Sequence, residues 1–176
     1  YDAKGLIKAA VRDNNPVIFF EHKFLYRRIK EEVPEDDYVV PLGKAAVRRE
    51  GRHLTMVSYA SMMHTCLEAA ERLQQEDGLS CEVIDLRTLL PLDKETLIAS
   101  LRKTNRMLVV HEDTRTGGIA GEIAAIVMEE AFEELDAPLL RVTSLDTPVP
   151  YSPPMEEFFL PNVEKIVKAA RQLAEY

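Results

Sequence analysis

Hydrophobic and polar residues alternate from residue 61 onward in blocks that predict helices and strands in turn. Apolar residues at helical spacing mark helices over residues 61–76, 93–103, from the glycine-rich loop to about 135, and 161–175. Short continuous apolar runs between these helices predict strands at residues 81–86, 107–112 and 139–143. Strands that alternate with helices pair in parallel through right-handed crossovers. The pattern therefore predicts an α/β domain with a mostly parallel, twisted sheet flanked by helices.

Residues 44–59 have a different pattern and predict a pair of strands. KAAVRRE and HLTMVSY are separated by Gly51 and Arg52, which is typical of a β-hairpin or of two paired strands. This segment would add one antiparallel hairpin strand to the sheet. Ser61, two positions beyond this segment, is the expected N-cap of the first long helix.

The first 44 residues read as a separate unit. Asp2 is a suitable N-cap for a helix to about Asp13, where DNNP stops it. VIFF at 17–20 predicts a strand that is buried on both faces. The segment that follows is charged and irregular. We therefore divide the chain into an incomplete α/β domain, a linker and a second domain: residues 1–22, 23–44 and 45–176.

Composition and charge limit the possible functions. Of the 176 residues, 46% are hydrophobic and 30% charged, which is typical of a globular protein, and runs such as IAAIVM are too short to cross a bilayer. The net charge of −8 argues against a nucleic-acid partner and is compatible with a basic protein partner. Cys66 and Cys81 lack the spacing of a disulfide framework or a zinc site, so both are expected to be buried apolar residues.

The stretch HEDTRTGGIAGEI, residues 111–123, is the strongest candidate ligand loop. Its G-G-x-x-G spacing follows a late strand and matches neither the dinucleotide fingerprint nor the phosphate loop. A helix N-terminus can still hold an anion, although Glu112, Asp113 and Glu122 bring negative charge to this one. The residues favour glycines that allow a tight turn and a close helix–sheet approach, and ligand binding remains the alternative.

The histidines provide little evidence for a self-contained active site. His111 and Glu112 end a strand beside a loop, the usual place for functional residues in α/β proteins. His64 and Cys66 lie two positions apart on a predicted helix and point to different faces. The oxygens around Asp13 can hold a cation or merely end a helix. The residues alone thus indicate an α/β domain without an active site of its own.

Several longer motifs occur in a fixed order along the chain. They are DAKGLIKAAVRDNNPVIFFEHKFLY, EEVP, PLGKA, CEVIDLRTLLPLD, KTNRMLVVHE, TGGIAGEI and DAPLLRVTSLDTPVPY. In these motifs the chain resembles, over essentially its whole length, the beta subunit of thiamine-diphosphate-dependent 2-oxo acid dehydrogenases. FFEHKFLYR, EEVP and CEVIDLRT are more similar to the branched-chain (2-oxoisovalerate) members than to the pyruvate members.

The resemblance implies a specific domain arrangement. Residues 1–22 would be the remnant of a pyrimidine-binding domain, and residues 45–176 a transketolase-type C-terminal domain. The glutamate that activates thiamine diphosphate and the catalytic histidine lie upstream in the family. Neither catalytic nor cofactor-binding residues are therefore expected in this segment, which alone should be inactive, although the full enzyme would use thiamine diphosphate and magnesium. The family's potassium site maps to Ala10, Val11, Asp13 and Asn15.

The resemblance also implies partners and a reaction. The parent enzyme would decarboxylate a 2-oxo acid and transfer the acyl group to lipoyl, in the cytoplasm of a prokaryote or in the mitochondrial matrix. Expected partners are an alpha subunit or alpha-like region, a second beta copy and the lipoyl acyltransferase, whose small basic domain would dock here. His111, Glu112 and Tyr176 are the interface candidates. The alternatives are an acetoin dehydrogenase or deoxyxylulose-phosphate synthase type, or a stand-alone nucleotide- or anion-binding module.

Overall fold

The computed structural model describes all 176 residues and contains one five-stranded sheet. Its strands lie in the order β1-β3-β2-β4-β5. Four of them run parallel, and β1 pairs antiparallel with β3. This confirms the predicted mostly parallel sheet with one antiparallel strand. The strand bounds are β1 Ala46–Arg49, β2 Leu54–Ser58, β3 Cys81–Asp85, β4 Met107–Thr114 and β5 Leu140–Ser144.

Six α-helices accompany the sheet, and short 3-10 turns occur at Lys23–Arg27 and Phe132–Glu134. The sequence pattern did not predict the helix at residues 153–159, which lies within the proline-rich loop. Two prolines begin this helix, where the missing N–H groups cost nothing. None of the helices is both long and apolar enough to cross a bilayer. Their bounds are α1 Asp2–Arg12, α2 Ala60–Asp77, α3 Lys94–Thr104, α4 Ile119–Glu130, α5 Pro153–Phe159 and α6 Val163–Ala174.

Each face of the sheet is covered by a pair of helices over its own apolar core. On one face, α2 and α6 pack against side chains that include Met56 and Leu108. On the other, α3 and α4 pack against side chains that include Val57 and Val109. Adjacent strand residues point to opposite faces. This two-sided burial explains why β2 and β3 are buried at every position, including the polar residues Thr55 and Glu82.

The predicted hairpin between the first two strands is wrong. β1 is hydrogen-bonded to β3, with Ala46 opposite Asp85, whereas β2 lies between β3 and β4. The physical reason is the difference in polarity between the two strands. β2 is buried at every position and needs a central place, whereas β1 carries Arg48 and Arg49, is partly exposed and suits an edge.

Two further predictions about the chain are corrected by the structure. Residues 17–20 form no strand, and the side chains of Ile18 and Phe20 are 80% and 89% exposed. This segment has no neighbouring strand with which to pair, so burial on both faces does not occur. The N-cap of α2 is Tyr59, not Ser61, which lies inside the first helical turn.

Candidate functional site at the carboxyl edge of the sheet

Hydroxyl groups tie together the carboxyl ends of three parallel strands. Ser58, at the end of β2, donates to the carbonyl of Val110 at 2.9 Å. Ser144, at the end of β5, donates to the carbonyl of Glu112 at 2.8 Å. Both serines are buried. The last residues of β4 are therefore held from both sides at the edge where α/β proteins place their sites.

The Glu112 carboxylate joins three separate parts of the chain. Its Oε1 accepts a hydrogen bond from the Ser61 hydroxyl at 3.3 Å and lies 2.5 Å from Nε2 of His22. Ser61 and His22 therefore meet the same oxygen and are not bonded to each other. A serine–histidine–acid relay needs the histidine between the other two groups, so this arrangement links segments and does not activate a nucleophile.

His111 lies sealed beneath the glycine loop. Its side chain is 1% exposed, and its ring stacks on that of Tyr59 at a centroid distance of 6.4 Å. Burial lowers the pKa of His111, which favours the neutral ring. Nε2 accepts from the backbone N–H of Ala120 at 3.4 Å. A neutral histidine can accept this bond at the start of α4, so its position is that of a packing residue.

Two of the three glycines in the loop have a structural requirement for glycine. Gly117 has a φ of 81°, in the left-handed region that favours glycine. At Gly118 a Cβ would meet the His111 ring and lie 2.5 Å from the carbonyl oxygen of Thr114. At Gly121 a Cβ would have no atom within 4 Å. The close approach of helix and sheet thus depends on Gly118 and the turn on Gly117.

The cleft beside this loop has a volume of about 770 Å³, and two arginines, Arg115 and Arg141, line it together with carboxylates. The N–H and hydroxyl groups of Thr116 both donate to the Asp146 carboxylate, at 2.9 and 2.7 Å. These hydrogen bonds lower the pKa of Asp146. Asp113 and Glu122 also line the cleft. The Asp146 carboxylate thus occupies the donors of Thr116, and the charges of Asp113 and Glu122 offset those of the two arginines.

The four residues of the predicted potassium site form a turn at the end of α1. Asp13 Oδ1 accepts from the backbone N–H of Asn15 at 2.8 Å and from its Nδ2 at 3.0 Å. These hydrogen bonds lower the pKa of Asp13. The Asp13 N–H donates to the carbonyl of Ala10 at 3.3 Å. The atoms around Val11 that could bind a cation are oxygens, which suit a hard cation. The last carbonyls of the helix are available because they lack hydrogen-bond partners within the helix.

Transition-metal or zinc chemistry has no obvious place in the described chain. No group of three or more His, Cys, Asp or Glu side chains is arranged to hold a metal ion. Cys66 and Cys81 are free and buried. Burial raises the pKa of each thiol to about 12, so neither is a thiolate at neutral pH.

Tyr176, the third interface candidate, lies at the amino edge of the sheet, opposite the edge that carries His111 and Glu112. Arg106, just before β4, donates to the carbonyl of Leu173 at 3.0 Å and lies 4.0 Å from the Asp136 carboxylate. Tyr176, three residues beyond Leu173, is 62% exposed. The structure therefore places Tyr176 at the amino edge, together with the acidic turn that follows α4. His111 and Glu112 lie at the carboxyl edge, so the three candidates do not form one site.

Several residues of this site had no clear signal in the amino-acid sequence. His22 is far from Glu112 along the chain, and Asp146 lies in a loop without a ligand-binding pattern. Ser58 and Ser144 had a weak signal, because each is a hydroxyl residue at the end of an apolar strand. Residues of this kind are candidates for cross-links between strand ends.

Comparison with known proteins agrees with this architecture. Along its whole length the chain is 54% identical to 2-oxoisovalerate dehydrogenase subunit beta of Bacillus subtilis (strain 168), covering 54% of that protein. It is 47% identical to the pyruvate dehydrogenase E1 component subunit beta of the same organism, again over the whole chain and 54% of the relative. The chain thus spans about half the length of these curated relatives.

A solved structure and a family model give the same answer. The structure described as "Split gene transketolase, inactive beta4 tetramer" superposes with a TM-score of 0.69 at 27% identity, over 82% of this chain and 46% of that one. The family model "Transketolase, C-terminal domain" matches residues 43–166. This match and the relatives confirm the resemblance drawn from the motifs. Because the family model covers well over half of the chain, the protein belongs to the transketolase C-terminal domain family.

Proposed function

We propose that the chain is the C-terminal portion of the beta subunit of a branched-chain 2-oxo acid dehydrogenase. The observation that carries this proposal is the 54% identity over the whole chain to a 2-oxoisovalerate dehydrogenase beta subunit, against 47% to the pyruvate type. Bound elsewhere in the full enzyme, thiamine diphosphate would supply the carbanion chemistry of decarboxylation. This chain contributes structure and interfaces.

Substrate preference tests the proposal directly. The complete beta subunit is assembled with its alpha subunit in the presence of thiamine diphosphate and magnesium. Decarboxylation is measured with 2-oxoisovalerate and pyruvate, and carbon–carbon bond cleavage is measured with acetoin, which has no carboxyl group to lose. The highest kcat/KM is expected with 2-oxoisovalerate, and no turnover is expected for residues 1–176 alone. A preference for pyruvate or acetoin would replace the branched-chain assignment. Activity with none of the three would contradict the whole proposal.

Docking of the lipoyl acyltransferase at the amino edge is the second part of the proposal. Its support is the charge on that edge. Glu130 and Glu134 are neutralised by Lys94 and Arg102, at 3.0 and 3.2 Å. Asp136 lies 4.0 Å from Arg106. Three further exposed carboxylates, at the end of α4, in the turn after it and just after α6, make no salt bridge. They are Glu129, Glu133 and Glu175.

Calorimetric titration with the binding domain of the cognate acyltransferase tests this docking site. Glu133→Gln is expected to weaken binding about threefold, the effect of one exposed charge pair. Glu122→Gln, an equivalent change at the carboxyl edge, is the matched control and should have no effect. Raising the salt from about 50 to about 500 mM should weaken binding because exposed charges are screened. Absence of association at low salt would contradict docking by this chain.

Association with an alpha subunit and with a second beta copy completes the proposal. Its support is the apolar surface outside the sheet domain's cores, where Phe20 is 89% exposed, Tyr151 102% and Phe158 70%. Exposed apolar groups of this size are typical of protein interfaces.

Potassium binding at Ala10, Val11, Asp13 and Asn15 is proposed as well. A rise in the thermal midpoint with KCl, but not with an organic cation chloride of equal ionic strength, is the expected result.

A further inference from the structure

The first side chain of α1 is paired with two arginines from distant parts of the chain. Arg87 Nη2 donates to Asp2 Oδ1 at 2.7 Å, and Arg48 of β1 pairs with Asp2 Oδ2. Arg48 also contacts Asp85 Oδ2, at 3.2 Å from Nη2 and 3.3 Å from Nε. We call these four residues, Asp2, Arg48, Asp85 and Arg87, the Asp2 cluster. It joins two motifs that had no assigned task, DAKG and DLRT.

The Asp2 cluster is shielded from water to a degree that surface ion pairs are not. Its side chains are 11% exposed for Asp85, 15% for Arg87, 19% for Asp2 and 30% for Arg48. Charges in such surroundings attract each other more strongly than in water, and removal of one partner leaves another uncompensated. The other ion pairs of α1 join Lys8 and Arg12 to Asp37, and these three side chains are 32%, 54% and 62% exposed. Exposed pairs of this kind contribute little.

The residues that contact Asp2 belong to the sheet and to the loop after β3, not to α1. Asp85 ends β3 and lies opposite Ala46 of the antiparallel strand β1. Its Oδ1 accepts the backbone N–H of Arg87 at 3.1 Å, and Arg87 has a φ of 58°, in the left-handed region. Such a conformation persists only where the surroundings hold it. Asp85 therefore holds the Arg48 guanidinium and the Arg87 backbone beside the place that Asp2 occupies.

We propose that the Asp2 cluster is the coupling point that fixes α1 on the transketolase-type domain. By sequence, α1 belongs to the preceding domain, and residues 23–44 form a linker. The cluster bypasses that linker, because it joins the start of α1 directly to β1 and β3. The helix therefore moves with the sheet as one body, and the orientation of whatever structure α1 carries is set here. The inference does not rest on the proposed enzymatic function.

A second contact supports a fixed orientation of the helix. The rings of Tyr1 and Tyr38 stack with centroids 4.5 Å apart and planes 12° from parallel. The hydroxyl of Tyr38 donates to the Tyr1 carbonyl at 2.9 Å. These contacts hold the same end of α1 as Asp2 does. The turn at Asp13, at the far end of the helix, is then positioned through the helix itself.

Amide hydrogen exchange of the full 176-residue chain, resolved by residue or by peptide, tests the coupling. Arg87→Gln should accelerate exchange in α1 by about tenfold or more, because exchange reports local opening, while β2 and β4 exchange as before. Asp2→Asn should have the same effect, and the double variant should exceed neither single variant by much, because both remove the same interaction. Arg87→Gln is the decisive variant, because Asp2 and its interaction with the helix dipole remain.

Two controls separate coupling from general loss of stability. Asp37→Asn removes the exposed pairs of α1 and should change its exchange by less than about threefold. Arg87→Lys keeps the charge but not the forked geometry and should give intermediate exchange. Unchanged exchange of α1 in Arg87→Gln would overturn the proposal. Equal acceleration of α1 and β4 would overturn it too, because the cluster would then stabilise the whole fold without coupling the helix.

Discussion

The two parts of the chain, residues 1–44 and residues 45–176, are stabilised by different interactions. In the first part only Gly5, Leu6 and Val40 are buried. The second part contains the other buried residues, arranged in two apolar layers on the two faces of the sheet. The first part is held to the second mainly by charged and polar contacts, such as the Asp2 cluster and the contact between His22 and Glu112.

The two kinds of contact have different roles: apolar burial determines the stability of the chain, and charged contacts determine the orientation of its first part. Burial of apolar surface provides most of the free energy of folding. Ion pairs with reduced exposure contribute little net free energy, but they penalise a wrong arrangement, because a displaced charge loses its partner. Loss of a core side chain should therefore lower the stability of the whole chain, whereas loss of a charged contact should act locally.

The largest expected effect is that of Leu108→Ala in the centre of β4. Leu108 is fully buried in the core under α2 and α6, so the change should lower the free energy of unfolding by about 3 kcal/mol. Urea denaturation measures it. Leu6→Ala in α1 is the matched variant from the first part and should cost about 1 kcal/mol, because Leu6 is 9% exposed and belongs to neither apolar core. Equal losses would contradict the comparison.

Gly118→Ala should lower stability by about 2 kcal/mol, because the new Cβ overlaps the His111 ring and the Thr114 carbonyl. The thermal midpoint is the measurement. Gly121→Ala, three residues further into the same helix, is the control. It meets no atom and should be neutral or raise stability by about 0.5 kcal/mol. A loss of stability in both variants would show that the loop tolerates no side chain at all.

Asp93→Ala should cost about 1 kcal/mol as the loss of a helix cap. Asp93 Oδ1 accepts from Thr96 N–H at 3.2 Å, and Oδ2 accepts from Ala45 N–H at 3.0 Å. Burial tends to raise the pKa of Asp93, but these hydrogen bonds outweigh it and lower the pKa. The contribution is thus complete above the unfolded pKa of about 3.9 and is lost as pH falls through the lower folded value.

The pH dependence of this contribution can be measured by chemical denaturation of the unchanged chain and of Asp93→Ala, at pH 7 and at a pH below about 3. The difference in the free energy of unfolding between the two proteins should be smaller in acid. Asp113→Ala, a change of an exposed carboxylate in the glycine loop, serves as the control. A difference that does not shrink in acid would show that the Asp93 carboxylate contributes by its shape alone.

The smallest expected effect concerns pH between about 5 and 7, where histidines titrate. Burial lowers the folded pKa of His111, so the unfolded chain binds more protons in this window. Stability should therefore be complete above the unfolded pKa of about 6.5 and fall by less than about 1 kcal/mol as pH drops toward the folded value. His111→Gln should flatten this dependence in chemical denaturation.

A residual slope is expected in that variant, because burial lowers the pKa of His64 in the same direction. His64→Gln is the companion variant and should remove a separate share of the slope. An unaltered pH dependence in His111→Gln would mean that the ring is not kept neutral by its place beneath the glycine loop.

Much of the fold followed from local patterns, and much of the site did not. The helices α2, α3, α4 and α6 and the strands β3 to β5 were predictable within a few residues, because apolar periodicity is a property of neighbouring positions. The neighbour of β1 was not, because strand pairing joins distant segments. The N-cap of α2 was missed because Ser61 bonds Glu112 across the structure and not its own helix.

The sequence by itself determined the fold class, the order of the elements and the family, because composition, periodicity and motifs are written along the chain. Only the tertiary structure decided that β1 lies beside β3, that Gly118 lies against His111, and that Asp2 meets Arg87, 85 positions away. These contacts depend on how whole elements pack in space. Packing selects among many pairings that local patterns permit equally, and its physical basis is the burial of apolar faces together with the satisfaction of buried charges.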